Sequence, residues 1–227
     1  MKVGIVGLPN VGKSTLFNCL SQSKAQSENY PFCTIDPNVS IVNVPDLRLD
    51  KLTELISPEK LIPTNVKIVD IAGLVKGASK GEGLGNKFLS NIRETDAIIH
   101  VLRCFDDPNI IHVDGKINPM SDKEVVEYEL ILKDIEVVDK RLDKVKKTLR
   151  SGSNESKKEI EVLEKVKLQL ENVSLNKSDY SDEQVEEFIK PLELISFKPI
   201  LYVCNVGEND VISGNDYVDQ VKKEIEN

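Results

Sequence analysis

Near the start of the chain, Gly7-Leu-Pro-Asn-Val-Gly-Lys-Ser14 has the spacing G-x-x-x-x-G-K-[ST], directly after an apolar run and directly before a helix-forming one. Glycines at those two places let backbone N–H groups turn inward around a phosphate, and the helix N-terminus adds partial positive charge. In such a loop Lys13 reaches the β- and γ-phosphates and the Ser14 hydroxyl ligates Mg²⁺. A second acidic signal, Asp70-Ile-Ala-Gly73, closes another apolar run. A carboxylate at that place holds Mg²⁺ or its water, and the Gly73 N–H contacts a γ-phosphate. Thr34, in Tyr30-Pro-Phe-Cys-Thr-Ile-Asp-Pro37, is a candidate second Mg²⁺ hydroxyl in a loop ordered by the γ-phosphate. From spacing alone it is equally an ordinary loop threonine.

Base recognition is expected at Asn205-Val-Gly-Glu208, where guanine-specific proteins carry N-K-x-D. Here Val206 replaces the Lys and Glu208 stands one methylene longer than Asp. An Asn amide matches the N6 donor and N7 acceptor of adenine, whereas a displaced carboxylate pairs poorly with guanine. Weakened guanine preference follows; a complete switch to adenine does not. Many GTPases orient the attacking water with a Gln directly after D-x-x-G. That place is Leu74, which neither donates nor accepts. Either turnover is slow or another group acts, and His112 is a candidate because imidazole polarises water near neutral pH. The alternative is a plain surface or loop histidine. His100, inside an apolar run, reads as structural.

These residues need a scaffold that brings distant loops together. Val3–Val6, Ser40–Val44, Val66–Ile71, Ala97–Cys104 and Pro199–Cys204 read as strands, with helices over Lys13–Leu20 and Leu84–Arg93. Near-continuous Val/Ile runs mark strands buried on both faces. The fold class is therefore α/β, a mostly parallel sheet with helices on both faces. From Ser121 to Phe188 glycine nearly vanishes and Lys and Glu dominate. Ser121 and Glu124 form a capping-box pattern. Tyr128, Ile131, Ile135, Val138, Leu142, Val145 and Leu149 then recur at three- and four-residue steps. Ile160, Leu163, Val166, Leu170 and Val173 make a second stripe, and a third helix is expected from the Ser181–Gln184 box. Two striped helices joined by a short Gly/Ser turn predict an antiparallel coiled-coil hairpin inserted in the α/β domain. The expected division is 1–118 and 197–227 for the α/β domain and 119–196 for the insertion.

The 227 residues carry a net charge of −8, with 40% hydrophobic and 30% charged residues, and a pI near 5.0. That balance argues against a chain coated in basic charge for DNA. Cys19, Cys33, Cys104 and Cys204 form no C-x-x-C pair, so neither a zinc site nor a disulfide framework is expected, and a reducing cytoplasm is. The early glycines argue against a signal peptide, and no apolar run approaches a membrane span.

Taken together, GLPNVGKSTLFN at 7–18, PFCTIDPN at 31–38, VDIAGLVKGASKGEGLGNKFLSNIRETDAI at 69–98, IIHVDGKINP at 110–119 and NVGE at 205–208 closely resemble the Obg-like ATPases of the YchF subfamily. The resemblance spans essentially the whole chain. It implies a P-loop G-domain fold that prefers ATP to GTP, hydrolyses it slowly with Mg²⁺, and associates with ribosomes, as the whole particle or its large subunit. Carried over, Asn10, Val11, Gly12, Lys13, Ser14 and Thr15 would wrap the phosphates, Ser14 and Thr34 would hold Mg²⁺, and Asn205 with the Val206 backbone would read adenine. Asn10 also stands where potassium-activated relatives bind a monovalent cation. Family members continue with another strand, a base-contacting Ser-Ala loop, a closing helix and a TGS domain, whereas this chain ends at Asn227; a fragment or truncated product is expected. Competing expectations are a nucleotide-gated ribosome-binding module with incidental hydrolysis, and a GTPase in which Glu208 replaces the usual Asp.

Overall fold

The computed structural model describes residues 1–22, 39–71, 91–112, 115–148 and 154–226. Its centre is a five-stranded sheet of β1 (Lys2–Val6), β2 (Val39–Asn43), β3 (Asn65–Asp70), β4 (Ala97–Cys104) and β5 (Ile200–Val206), in the order β2-β3-β1-β4-β5. β1 pairs in parallel with β3 and β4, and β4 with β5; only β2 runs antiparallel, at the edge. Seven of the eight residues of β4 are buried, as an unalternated apolar run requires when both faces are covered. Because these four strands are parallel, the ends at Val6, Asp70, Cys104 and Val206 share one edge of the sheet. Loops leaving that edge are where open α/β sheets bind ligands. Helix α1 (Lys13–Gln22) leaves β1 there, and its Phe17 packs into the sheet core with Ile5, Ile68 and Ile71. Helix α2 (Leu47–Ile56), N-capped by Asp46 through the Arg48 N–H, buries none of its residues.

The 30-residue helix α3 (Pro119–Thr148) begins three residues before the start that a Ser121 cap predicts. The Asn118 side chain, not Ser121, accepts the early N–H, that of Ser121 at 3.2 Å. Pro119 follows at the first helical position, where its missing N–H is no loss. The long stripe changes partner part-way. Val126 and Leu130 enter the sheet core, while Val138, Leu142 and Val145 pack on Val162, Leu163, Val166 and Leu170 of α4 (Asn154–Glu171). Tyr128, expected in the seam, is 54% exposed, and Val173 lies beyond α4 in a left-handed conformation and is exposed. The ion pairs Asp139–Lys167 and Lys146–Glu164 run in opposite order along the two helices, as an antiparallel pair does, and Arg141–Glu159 also joins them.

The Ser181–Gln184 capping box is present and opens the expected third helix, a continuous run that is α-helical over Asp182–Gln184, π-helical over Val185–Ile189 and 3₁₀ over Lys190–Leu192, before a separate 3₁₀ turn at Ile195–Phe197. The chain then re-enters the sheet as β5 beside β4, and α5 (Asp216–Ile225) covers Leu102 and Cys104 with Val218 and Val221. The expected helix over Leu84–Arg93 lies outside the described residues except for helical residues 91–93. No described helix is long and apolar enough to cross a membrane.

Candidate nucleotide site

The loop between β1 and α1 has backbone angles that glycine permits. Gly12 has φ +100°, and a Cβ there would collide with the Asn205 amide; at Gly7 a Cβ would stand 2.6 Å from the Val101 carbonyl oxygen. Lys13 is buried, with its Nζ donating to the Leu8 carbonyl at 2.6 Å. Burial pulls its pKa down from 10.5 to about 8, only partly opposed by the Asp70 carboxylate. A buried ammonium served mainly by a carbonyl is strongly drawn to an anion.

Ile5 of β1 stands beside Asp70 of β3, which brings that carboxylate to the start of the loop. Ser14 Oγ donates to Asp70 Oδ2 at 3.0 Å. Asp70 Oδ1 is buried and has no hydrogen-bond partner among the described residues. A hydroxyl, a carboxylate and an unused carboxylate oxygen at the phosphate loop are the hard donors that Mg²⁺ takes, directly or through its waters. The residues present fit the ion.

Asn10, Gly12, Lys13, Ser14 and Thr15 line a cavity of about 430 Å³, which Phe105, Ile110 and Asn205 complete. Its size lies within the range of small-molecule sites. Asn205 comes from the end of β5, and its Nδ2 donates to the Val11 carbonyl at 3.0 Å, while Val11 itself is buried. Asn10, at φ +63°, donates through Nδ2 to the Ile111 carbonyl at 3.1 Å.

Three expectations land away from the cavity wall. Val206, whose backbone was expected to read adenine, is not among the lining residues, and its side chain packs beside Leu102 and Cys104. Glu208 is exposed, in the short turn Glu208–Asp210. His112 Nε2 lies 3.0 Å from Asp122 Oδ2, both side chains buried, where α3 begins. Thr34, Gly73 and Leu74 lie outside the described residues. His100 is buried in β4 with its pKa lowered to about 3 by burial and by the nearby Lys123 and Lys13 ammoniums, which suits a structural residue. Sequence reasoning missed Phe105 and Ile110. Their signal was position, since both follow β4 at the edge where β1 and β3 end.

A family model described as the 50S ribosome-binding GTPase matches residues 2–165. The chain belongs to that family. It is 53% identical over 225 residues to the ribosome-binding ATPase YchF of Bacillus subtilis and 51% identical over 223 residues to that of Escherichia coli O157:H7. Each match takes in 98% of this chain but 62% and 61% of the relative, so the chain spans about three fifths of the curated relatives' length. The structure described as the YchF GTPase of Schizosaccharomyces pombe superposes with a TM-score of 0.84 at 42% identity, over 100% of this chain and 62% of that one. The family membership and this likeness agree with the P-loop α/β fold expected from the motifs.

Proposed function

We propose that the chain binds a Mg²⁺–nucleoside triphosphate in this cavity, hydrolyses it slowly, prefers ATP to GTP, and couples nucleotide state to binding a ribosome in the cytoplasm. The observation that carries the reading is a cavity lined by Lys13, Ser14, Phe105, Ile110 and Asn205, behind whose Ser14 hydroxyl the Asp70 carboxylate stands at 3.0 Å. Lys13 and the inward N–H groups of Gly12 to Thr15 bind the phosphates; Ser14 and Asp70, with Thr34, would hold Mg²⁺. That ion supplies charge neutralisation at the β- and γ-phosphates. Asn205 offers the base an amide, and Glu208, exposed and off the wall, leaves guanine without the carboxylate it requires. Asn10 is the candidate for a K⁺ contact beside the phosphates.

Leu74 at the usual Gln position supports slow turnover. With Nε2 held by Asp122, His112 would have to orient water through Nδ1, and His112→Ala with unchanged turnover would remove it from the mechanism. The ribosome is the partner that the relatives' names support, and the 50S in the family description favours its large subunit or the whole particle. The test is displacement of a fluorescent ATP analogue, with Mg²⁺, by ATP and GTP in parallel. ATP at least tenfold better, about 1.4 kcal/mol, is expected. GTP preference would overturn the base assignment and keep the phosphate site.

The second reading, a nucleotide-gated binding module with incidental hydrolysis, draws on the same Leu74. It predicts ribosome binding that follows the bound nucleotide while a turnover-dead variant keeps it.

A further inference from the structure

Arg103 is the largest fully buried side chain of the molecule's described residues, at 1% exposure, yet its described hydrogen-bond partners are carbonyls and none is a carboxylate. A guanidinium taken out of water must find compensation elsewhere. Here every described hydrogen bond goes to one short loop: Nε donates to the Phe105 carbonyl at 3.1 Å, Nη2 to Asp107 at 3.2 Å and Nη1 to Ile110 at 3.0 Å. The same plane lies over the Phe105 ring, with Cζ 4.7 Å from its centroid. Two of the three residues so held, Phe105 and Ile110, are wall residues of the nucleotide cavity.

We propose that Arg103 is a positioning residue for the base subsite: its guanidinium fixes Phe105 and Ile110 as the surface against which the aromatic base of a nucleoside triphosphate stacks. The inference rests on the nucleotide site proposed above and assigns its base end. A rigid fork that engages three carbonyls at once sets the loop's backbone and the Phe105 ring together, which a flexible ammonium with one point of contact does not do. A cation against one face of the ring leaves the other face for a base, whose π-system stacks sequence-tolerantly on aromatic surfaces. The loop is braced from outside as well. Asn215 Nδ2 donates to the Cys104 carbonyl at 2.8 Å, and the Tyr217 hydroxyl to the Asp106 carboxylate at 3.1 Å. Holding the wall before the base arrives removes an ordering cost from binding.

The role separates from a purely structural one because tripolyphosphate has no base. In the full chain, Arg103→Lys should raise the Kd for Mg²⁺–ATP at least tenfold, about 1.4 kcal/mol, while the Kd for Mg²⁺–tripolyphosphate stays within about twofold. Equal weakening of both ligands would mean that Arg103 serves only the fold, and weakening of neither would also overturn the proposal. Phe105→Leu and Asn205→Ala, measured alongside, test the cavity itself. If they too leave the ratio of the two affinities unchanged, the base-site reading fails; if they shift it and Arg103→Lys does not, only the Arg103 role fails. Should Arg103→Lys not fold, the wild-type Arg103 Nε–H resonance decides. It should shift and exchange more slowly with ATP but not with tripolyphosphate, and an identical response to both would overturn the proposal.

Discussion

Lys13 and His100 are both buried bases, and burial acts on each by disfavouring its charge. For Lys13 the lowered pKa of about 8 places a titration inside the working range. A triphosphate beside it restores the charged form, so binding at pH 8 takes up about half a proton per site. Calorimetry in buffers of different ionisation enthalpy should show this uptake, and Lys13→Ala should lose both the uptake and about 2–4 kcal/mol of affinity. For His100 the folded pKa of about 3 lies below the ordinary 6.5. Between those values the unfolded chain binds a proton that the folded one refuses, so stability is full above pH 6.5 and falls as pH drops. By pH 5 the loss from this group is about 2 kcal/mol. Denaturant titrations at pH 7 and pH 5 should show it, and His100→Gln should flatten the difference; an unchanged slope would assign the acid sensitivity elsewhere.

α3 and α4 form a core of their own, because residues such as Leu163 and Val166 touch the other arm helix and not the sheet. Each stripe is too narrow to stabilise a single helix in water, so the pair stands or falls together. Leu163→Ala opens a cavity in that core and should lower stability by about 2–5 kcal/mol. Since Leu163 shares no core cluster with the phosphate loop, the affinity for Mg²⁺–ATP should stay as it is at temperatures where the variant is folded. A parallel loss of nucleotide binding would show the two cores to be one cooperative unit at the site.

The two cores meet on α3, and Asp134 sits at the seam. Its buried carboxylate accepts the N–H groups of Ile195 at 3.0 Å and Ser196 at 2.7 Å, just before the chain re-enters the sheet as β5. Burial pushes its pKa up while those two bonds and Arg93 oppose the shift. Asp134→Ala would leave two backbone donors without their acceptor, a loss of about 3–5 kcal/mol. It would also loosen the return segment that carries Asn205. Urea unfolding followed by circular dichroism should then broaden or split into two steps, whereas a single transition of unchanged steepness would argue that other contacts couple the cores.

Periodicity and short-range spacing were enough to find five strands, the phosphate loop and the two seamed helices, because Val/Ile runs, a glycine-framed lysine and three-four stripes are local properties of the chain. The meeting of Ser14 and Asp70 was legible too, since a serine after Gly-Lys and an acid closing a strand are local signals. What stayed hidden depends on residues far apart in the chain. Ser121 carries a capping pattern, but Asn118 with Pro119 caps better in three dimensions. Tyr128 fits the heptad, yet α3 turns that part of its surface away from both cores. Phe105 and Arg103 lie outside every motif, and Ile110 belongs to the 110–119 stretch without any role assigned by it. They matter because β4 and β5 lie parallel beside β1, so that the loop after Cys104 and the amide of Asn205 arrive at the same edge as Lys13. Local sequence chose the residues of the phosphate loop, and the strand order, through contacts that span the whole chain, decided what stands opposite it across the cavity.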